Sequence, residues 1–144
     1  MSFKITIKII ILGLLISGVI LRISGLIHIN ADIGIYIQWY NQLAENGFSK
    51  MADNYSIYTP PYLYLLWLTS LTKGNIPPVL AIKLFPIMFD CLSTFAVYKL
   101  VRLKYPQGSL PYVAMAGFFV LPTVLVNSSF WGQVDSLYTS FLLL

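Results

Sequence analysis

Charge is scarce in this chain. Five acidic and nine basic residues occur in 144 positions, so only 10% of the residues are charged. A soluble domain of this length carries roughly a quarter. With 58% hydrophobic residues, that shortage excludes an ordinary soluble domain. The net charge of +4 is small and scattered, which excludes a nucleic-acid-binding face; no nucleic acid is expected as a partner. Cysteine is nearly absent. Cys91 stands alone in an apolar run, so neither a disulfide framework nor a paired-cysteine metal site can form within the chain. The single histidine, His28, excludes a multi-histidine metal site. No internal repeat or low-complexity tract is present.

What remains is a series of apolar runs. Segments 5–27, 77–100 and 110–126 are long enough to cross a bilayer, which takes roughly 17–25 residues. Segment 60–72 is too short to cross comfortably and is expected to lie shallow. Segment 136–144 begins a further helix. The expected fold class is all-α integral membrane: a polytopic helical bundle with three complete spans and the start of a fourth. Its extracytoplasmic loop is expected to carry amphipathic interfacial helices. One transmembrane module covers 1–144. Because the last apolar run stops at Leu144, the chain reads as the truncated N-terminal part of a longer protein. Lys4 and Lys8 precede the first run, and no small-residue cleavage site follows it, so an uncleaved first helix is expected. With Lys99, Arg102 and Lys104, these lysines place the N-terminus and loop 99–109 in the cytoplasm. The outer loop 28–78 and the stretch 127–135 then share the opposite face.

Within the outer loop, Ile33, Tyr36, Trp39, Tyr40 and Leu43 recur at helical spacing, with Gln38, Asn41, Gln42 and Glu45 on other faces. Gly47 is a stop signal. An aromatic face just past a span suits the headgroup layer. Asp32 stands at the start of this helix, either as a cap or as a carboxylate able to accept a proton. Tyr58, Tyr62 and Tyr64 read as interface anchors. Arg22 either snorkels to the headgroups or meets a phosphate. Lys83 and Asp90 lie seven positions apart, about 10 Å along a helix. They share a face without touching, so each either pairs with another helix or takes part in carrier binding. Further on, Pro122 interrupts its span, Asn127, Ser128 and Ser129 end it, and Gly132 permits a turn. Asp135 is then expected to cap the next helix and, with Asp32, to line one polar pocket with Trp131 at its rim. Gln133 and Asp135 suit sugar hydroxyls or a bound cation. The Asn-x-Ser triplets at 54–56 and 127–129 are too common by chance to carry weight.

Four of these stretches, in this order, resemble the start of the GT-C glycosyltransferases, multi-pass enzymes that take a sugar from a polyprenyl-phosphate carrier. The spacing of Asp32 and Trp39 resembles the first outer loop of the lipid-linked-oligosaccharide glucosyltransferases. "YTPPYLYLL" (58–66) is similar to their "DYPPLTAY"-type segment, although Tyr58 and Thr59 replace the acidic residue before the prolines, which Asp53 could supply from further away. "IKLFPIMFDCL" (82–92) is similar to their next span. "LPTVLVNSSFWGQVDSLYTSFLLL" is similar to the end of one span and the start of the next, its Trp-Gly-Gln-x-Asp form closer to prokaryotic mannosyltransferases related to GPI mannosyltransferase II.

The resemblance implies a hexosyltransferase, mannosyl by first expectation, in which Asp32 is the base that deprotonates an acceptor hydroxyl while the anomeric carbon inverts. Trp39, Asp53, Tyr58, Lys83, Asp90, Trp131, Gln133 and Asp135 are the expected substrate-binding residues. The implied partners are a polyprenyl-phosphate sugar donor, a lipid or glycan acceptor, and membrane lipids. No cofactor is assigned with certainty, and a divalent cation is left open. The implied location is a multi-pass membrane protein with an extracytoplasmic active face. A transporter or channel subunit, or a catalytically silent assembly partner, are the readings from other classes.

Overall fold

In the computed structural model, residues 3–53 and 56–144 are described, with the side chains of Phe3 and Lys4 excepted. The first triplet noted above and the side chain of Lys4 therefore lie outside the described residues. The described chain is helical, with no strand among the described residues. Its order is α1 (Phe3–Leu26), α2 (Ala31–Asn46), a 3-10 turn (Phe48–Ala52), α3 (Pro60–Ser70), α4 (Pro78–Lys104), α5 (Leu110–Phe119), α6 (Pro122–Leu125) and α7 (Asp135–Leu143). A π-helical turn (Val126–Trp131) prolongs α6.

Two helices, Ile5–Leu26 and Pro78–Lys104, are long and apolar enough to cross a membrane, and the pair 110–119 and 122–131 makes a third candidate if it forms one span bent by 45°. Pro122 explains the bend. It has no N–H to continue the ladder from α5, and its ring forces the preceding residue out of the helical region. At 11 residues, α3 is about 16 Å long, too short to cross. The outer faces of α1 bear exposed Ile9, Ile16, Ile20 and Ile23, as expected of a helix meeting lipid.

The contacts fix the helix directions. Lys83 of α4 reaches Gly25 near the end of α1, and Asp90 reaches Arg22, so α1 and α4 run antiparallel. Gly18 faces Phe119 and Gly25 faces Phe130, so α1 runs parallel to the bent α5–α6 pair. Ser136 bonds Pro86 and Phe141 packs on Phe89, which aligns α7 with α4. The result is an up-down-up-down bundle, with α2, α3 and the start of α7 gathered at one end.

At that end lies the main core. Ile33, Tyr36, Trp39, Tyr40 and Leu43 are the buried residues of α2, matching the periodicity of the sequence. They pack with Tyr62, Leu66, Ala81, Ile82, Phe89, Val134 and Leu137. The aromatic face of α2 thus packs against protein. Tyr62 is likewise a core residue instead of an interface anchor.

Other local expectations change too. The cap of α2 is Asn30, whose Oδ1 accepts from Ile33 N–H at 2.9 Å; Asp32 lies inside the first turn. The basic residues Lys99, Arg102 and Lys104 continue α4 instead of sitting in a loop. Asn127, Ser128 and Ser129 do not end a helix but form the π-helical turn, which closes at Gly132 with a left-handed φ of 68°. A side chain at Gly132 would be strained by that backbone, and its Cβ would also fall 2.5 Å from Ile33 Cδ1, so glycine is required there.

Candidate functional site

Two polar constellations meet on the 127–133 segment. The first is buried. Arg22, 5% exposed, donates to Asp90, 1% exposed, at 3.0 Å. It also donates to the Phe119 carbonyl at 2.8 Å and lies over the Phe119 ring at 3.9 Å. That carbonyl belongs to the helix broken before Pro122, and a backbone acceptor freed inside an apolar bundle needs such a partner. Ser128 donates to the same Asp90 oxygen, Oδ2, at 2.5 Å. Arg22 therefore neither snorkels nor faces a headgroup phosphate. It joins α1, α4 and the broken helix.

Lys83 is also buried. Its Nζ donates to the carbonyls of Gly25 at 2.7 Å and His28 at 2.6 Å. The Gly25 carbonyl is in the last turn of α1 and the His28 carbonyl just beyond it, where a cation meets the negative end of the helix dipole. Of the two alternatives for Lys83 and Asp90, both therefore take the first: each pairs with another element of the bundle.

The second constellation is more open. Gln133 Nε2 donates to Asp32 Oδ2 at 3.2 Å. Asn127 Nδ2 donates to Gln133 Oε1 at 3.0 Å and to Asp135 Oδ2 at 2.9 Å. A single chain, Asp32–Gln133–Asn127–Asp135, thus joins the two carboxylates that the sequence placed on one face. Gly132 makes it possible by turning the backbone between Asn127 and Gln133. Asp135 is exposed and begins α7 without a side-chain capping bond; its partner is Asn127, which corrects the capping role expected for it. Trp131 is half exposed beside this turn.

Below Asp135 a cavity of about 220 Å³ runs between α4, α7 and the broken helix, lined by Asp90, Ser93, Asn127, Asp135, Ser136 and Thr139 among others. Asp90 and Asp135 therefore share a space although they lie on different helices. Asp32 is not part of its lining.

The remaining expected site residues fall elsewhere. Asp53 pairs with Lys50 at 2.8 Å on the surface. Trp39 and Tyr58 stand edge to face, centroids 5.9 Å apart, within an aromatic cluster with Tyr36 and Tyr62. The Tyr36 and Tyr58 hydroxyls are 2.8 Å apart. Burial pushes the Tyr36 and Tyr62 phenols above their ordinary range, and the Tyr58 contact adds to the effect at Tyr36. A hydrogen bond between Thr59 and Tyr138 ties the start of α3 to α7. Sequence reasoning missed Asn127, Ser128 and Ser93 as site residues. Asn127 and Ser128 were read as the end of a span, where polar residues are ordinary.

Comparison with protein-family models, with curated proteins and with solved structures finds no match.

Proposed function

We propose that this chain belongs to a membrane glycosyltransferase that moves a hexosyl group, mannosyl in the first instance, from a polyprenyl-phosphate carrier to a lipid or glycan acceptor on the extracytoplasmic side. The observation that carries the proposal is the half-buried Asp32, held through one oxygen by Gln133. Among the described residues no hydrogen bond engages Oδ1, so that oxygen can accept a proton. In the proposed step the acceptor O–H proton passes to Asp32 while the acceptor oxygen bonds the anomeric carbon. The bond from that carbon to the carrier phosphate breaks, and the phosphate leaves with the electron pair. A phosphate leaving group needs no second carboxyl to protonate it, unlike the alkoxide in glycoside hydrolysis. Gln133 then acts as a positioning residue, and Asp135 orients it through Asn127.

The test uses membranes carrying this chain together with any sequence encoded after Leu144, supplied with radiolabelled polyprenyl-phosphate mannose. Wild-type membranes should label a lipid or glycan product. Asp32→Asn should lower the rate by about 10²- to 10⁴-fold, the usual effect of losing a general base, at unchanged protein level. Unlabelled product in the wild type, or full activity in the variant, would sink the proposal.

A second reading, a transporter or channel subunit, draws on one specific feature: a 45° helix break beside a buried ion pair, an arrangement that recurs where broken helices line transport sites. Ion or solute flux into liposomes holding the purified chain, without label transfer, would favour it.

A further inference from the structure

The cavity beneath Asp135 carries features that the transfer reading does not use. Its polar lining consists of oxygen-bearing side chains: the Asp90 and Asp135 carboxylates, the hydroxyls of Ser93, Thr123, Ser136 and Thr139, and the Asn127 amide. Ser136 spends its proton on the Pro86 carbonyl at 2.9 Å, and Thr139 on the Asp135 carbonyl at 3.0 Å. Both hydroxyl oxygens therefore keep lone pairs for a ligand. Ser93 is 1% exposed, and its Oγ is buried without any hydrogen-bond partner. A buried unpaired hydroxyl is costly, and a ligand in the cavity would satisfy it.

Charge narrows the ligand. Arg22 and Ser128 both donate to Asp90 Oδ2, and the Ser136 hydroxyl also lies close enough to interact with the Asp90 carboxylate. Around the cavity, two carboxylates face one guanidinium, that of Arg22, which leaves one negative charge. Asp90 is balanced by Arg22, whereas the exposed Asp135 has no cationic partner among the described residues, and one positive charge at the cavity balances it. Carboxylate, hydroxyl and amide oxygens are hard donors, suited to alkali and alkaline-earth ions in preference to transition metals. No group of three or more His, Cys, Asp or Glu that could hold a metal ion occurs among the described residues. At about 220 Å³ the space also accommodates several waters, each filling about 30 Å³.

We propose that this cavity binds a monovalent alkali cation, partly hydrated, between Asp90 and Ser93 on α4 and Asp135 on α7. The ion joins the start of α7 to the centre of α4. The inference does not depend on the transfer reading, and its test needs no enzymatic activity. The full chain in lipid nanodiscs is melted in sodium, potassium or N-methyl-D-glucamine chloride at equal ionic strength. Sodium or potassium should raise the melting temperature saturably, by about 4 °C or more over the organic cation. Ser93→Ala and Asp135→Asn should each reduce that cation-specific rise to less than about 1 °C. Asp90→Asn strips Arg22 of its partner and can unfold the chain, so the two milder variants decide. Equal melting in all three salts, or an undiminished rise in both variants, would overturn the proposal. So would stabilisation by magnesium or calcium exceeding that by the alkali ions, or by a methyl hexoside in their absence.

Discussion

The Arg22–Asp90–Ser128 cluster and the Asp32–Gln133–Asn127–Asp135 chain rest on adjoining residues of one turn, yet they are built for different ends. In the first, the opposite charges are withdrawn from solvent and paired with each other, and Arg22 also serves a freed backbone carbonyl. In the second, neutral amides hold one half-buried and one exposed carboxylate, and no cation bonds either one among the described residues. A buried carboxylate paired with an arginine gives at least one oxygen to the fold. A carboxylate positioned by an amide keeps a face available for chemistry. The contrast separates the acidic residues of this chain more sharply than their hydrophobic surroundings do.

The largest test of that contrast is to leave Asp90 buried without its cation. Arg22→Ala should cost about 3–5 kcal/mol, the usual result of breaking one side of a buried pair, read as loss of folded protein in nanodiscs. Arg22→Met combined with Asp90→Leu should recover much of it, because no charge is then left unmatched. Stability unchanged in Arg22→Ala would show that the buried cluster is dispensable.

The close approach between α1 and the broken helix comes next. A Cβ at Gly25 would lie 2.9 Å from the Ser129 carbonyl oxygen and from the Phe130 ring. Backbone cannot yield as a flexible side chain does, so Gly25→Ala should destabilise by about 1–3 kcal/mol. Gly34→Ala, where nothing lies within 4 Å, is the control and should be neutral or slightly stabilising. Equal melting of the two variants would remove the close approach from the account.

In the open chain the effects should be smaller. Gln133→Ala should change stability by about 1 kcal/mol or less, because its partners can turn to water. If the transfer proposal holds, the same change should lower the rate, and Gln133→Glu at neutral pH should not restore it, because an ionised carboxylate cannot donate to Asp32. A loss of stability as large as that of Arg22→Ala would erase the distinction between the clusters.

The smallest effects concern the phenols and the surface. Folding raises the values of Tyr36 and Tyr62 above the ordinary 10.0. Their contribution is therefore complete below pH of about 10 and declines as pH rises through that value toward the folded one. Tyrosinate absorbance should show two phenols resisting ionisation until the chain unfolds. The exposed Lys73–Glu45 pair should matter least, with Glu45→Gln worth under about 1 kcal/mol.

Some of this architecture was legible in residue order. The face of α2 could be read because its five buried residues follow the helical period, and the break at Pro122 because proline lacks the N–H that a helix needs. The cap at Asn30 was obscured by Asp32 nearby, since both types accept from free N–H groups; the backbone path into the first turn decided between them. Arg22 and Asp90 are 68 residues apart, and nothing local to either names its partner. Asp32 and Gln133 are 101 apart, and their meeting depends on a left-handed turn at Gly132 that the sequence permitted without dictating its direction.

By itself, then, the sequence determined the helical class, the apolar segments able to cross a membrane and the inward face of α2, because hydropathy and periodicity accumulate along a contiguous stretch of chain. Tertiary structure alone decided which charges are matched and which stay open. Pairing depends on the register between helices, and that register is set where Gly18 and Gly25 admit the broken helix against α1 and Lys83 closes the end of α1.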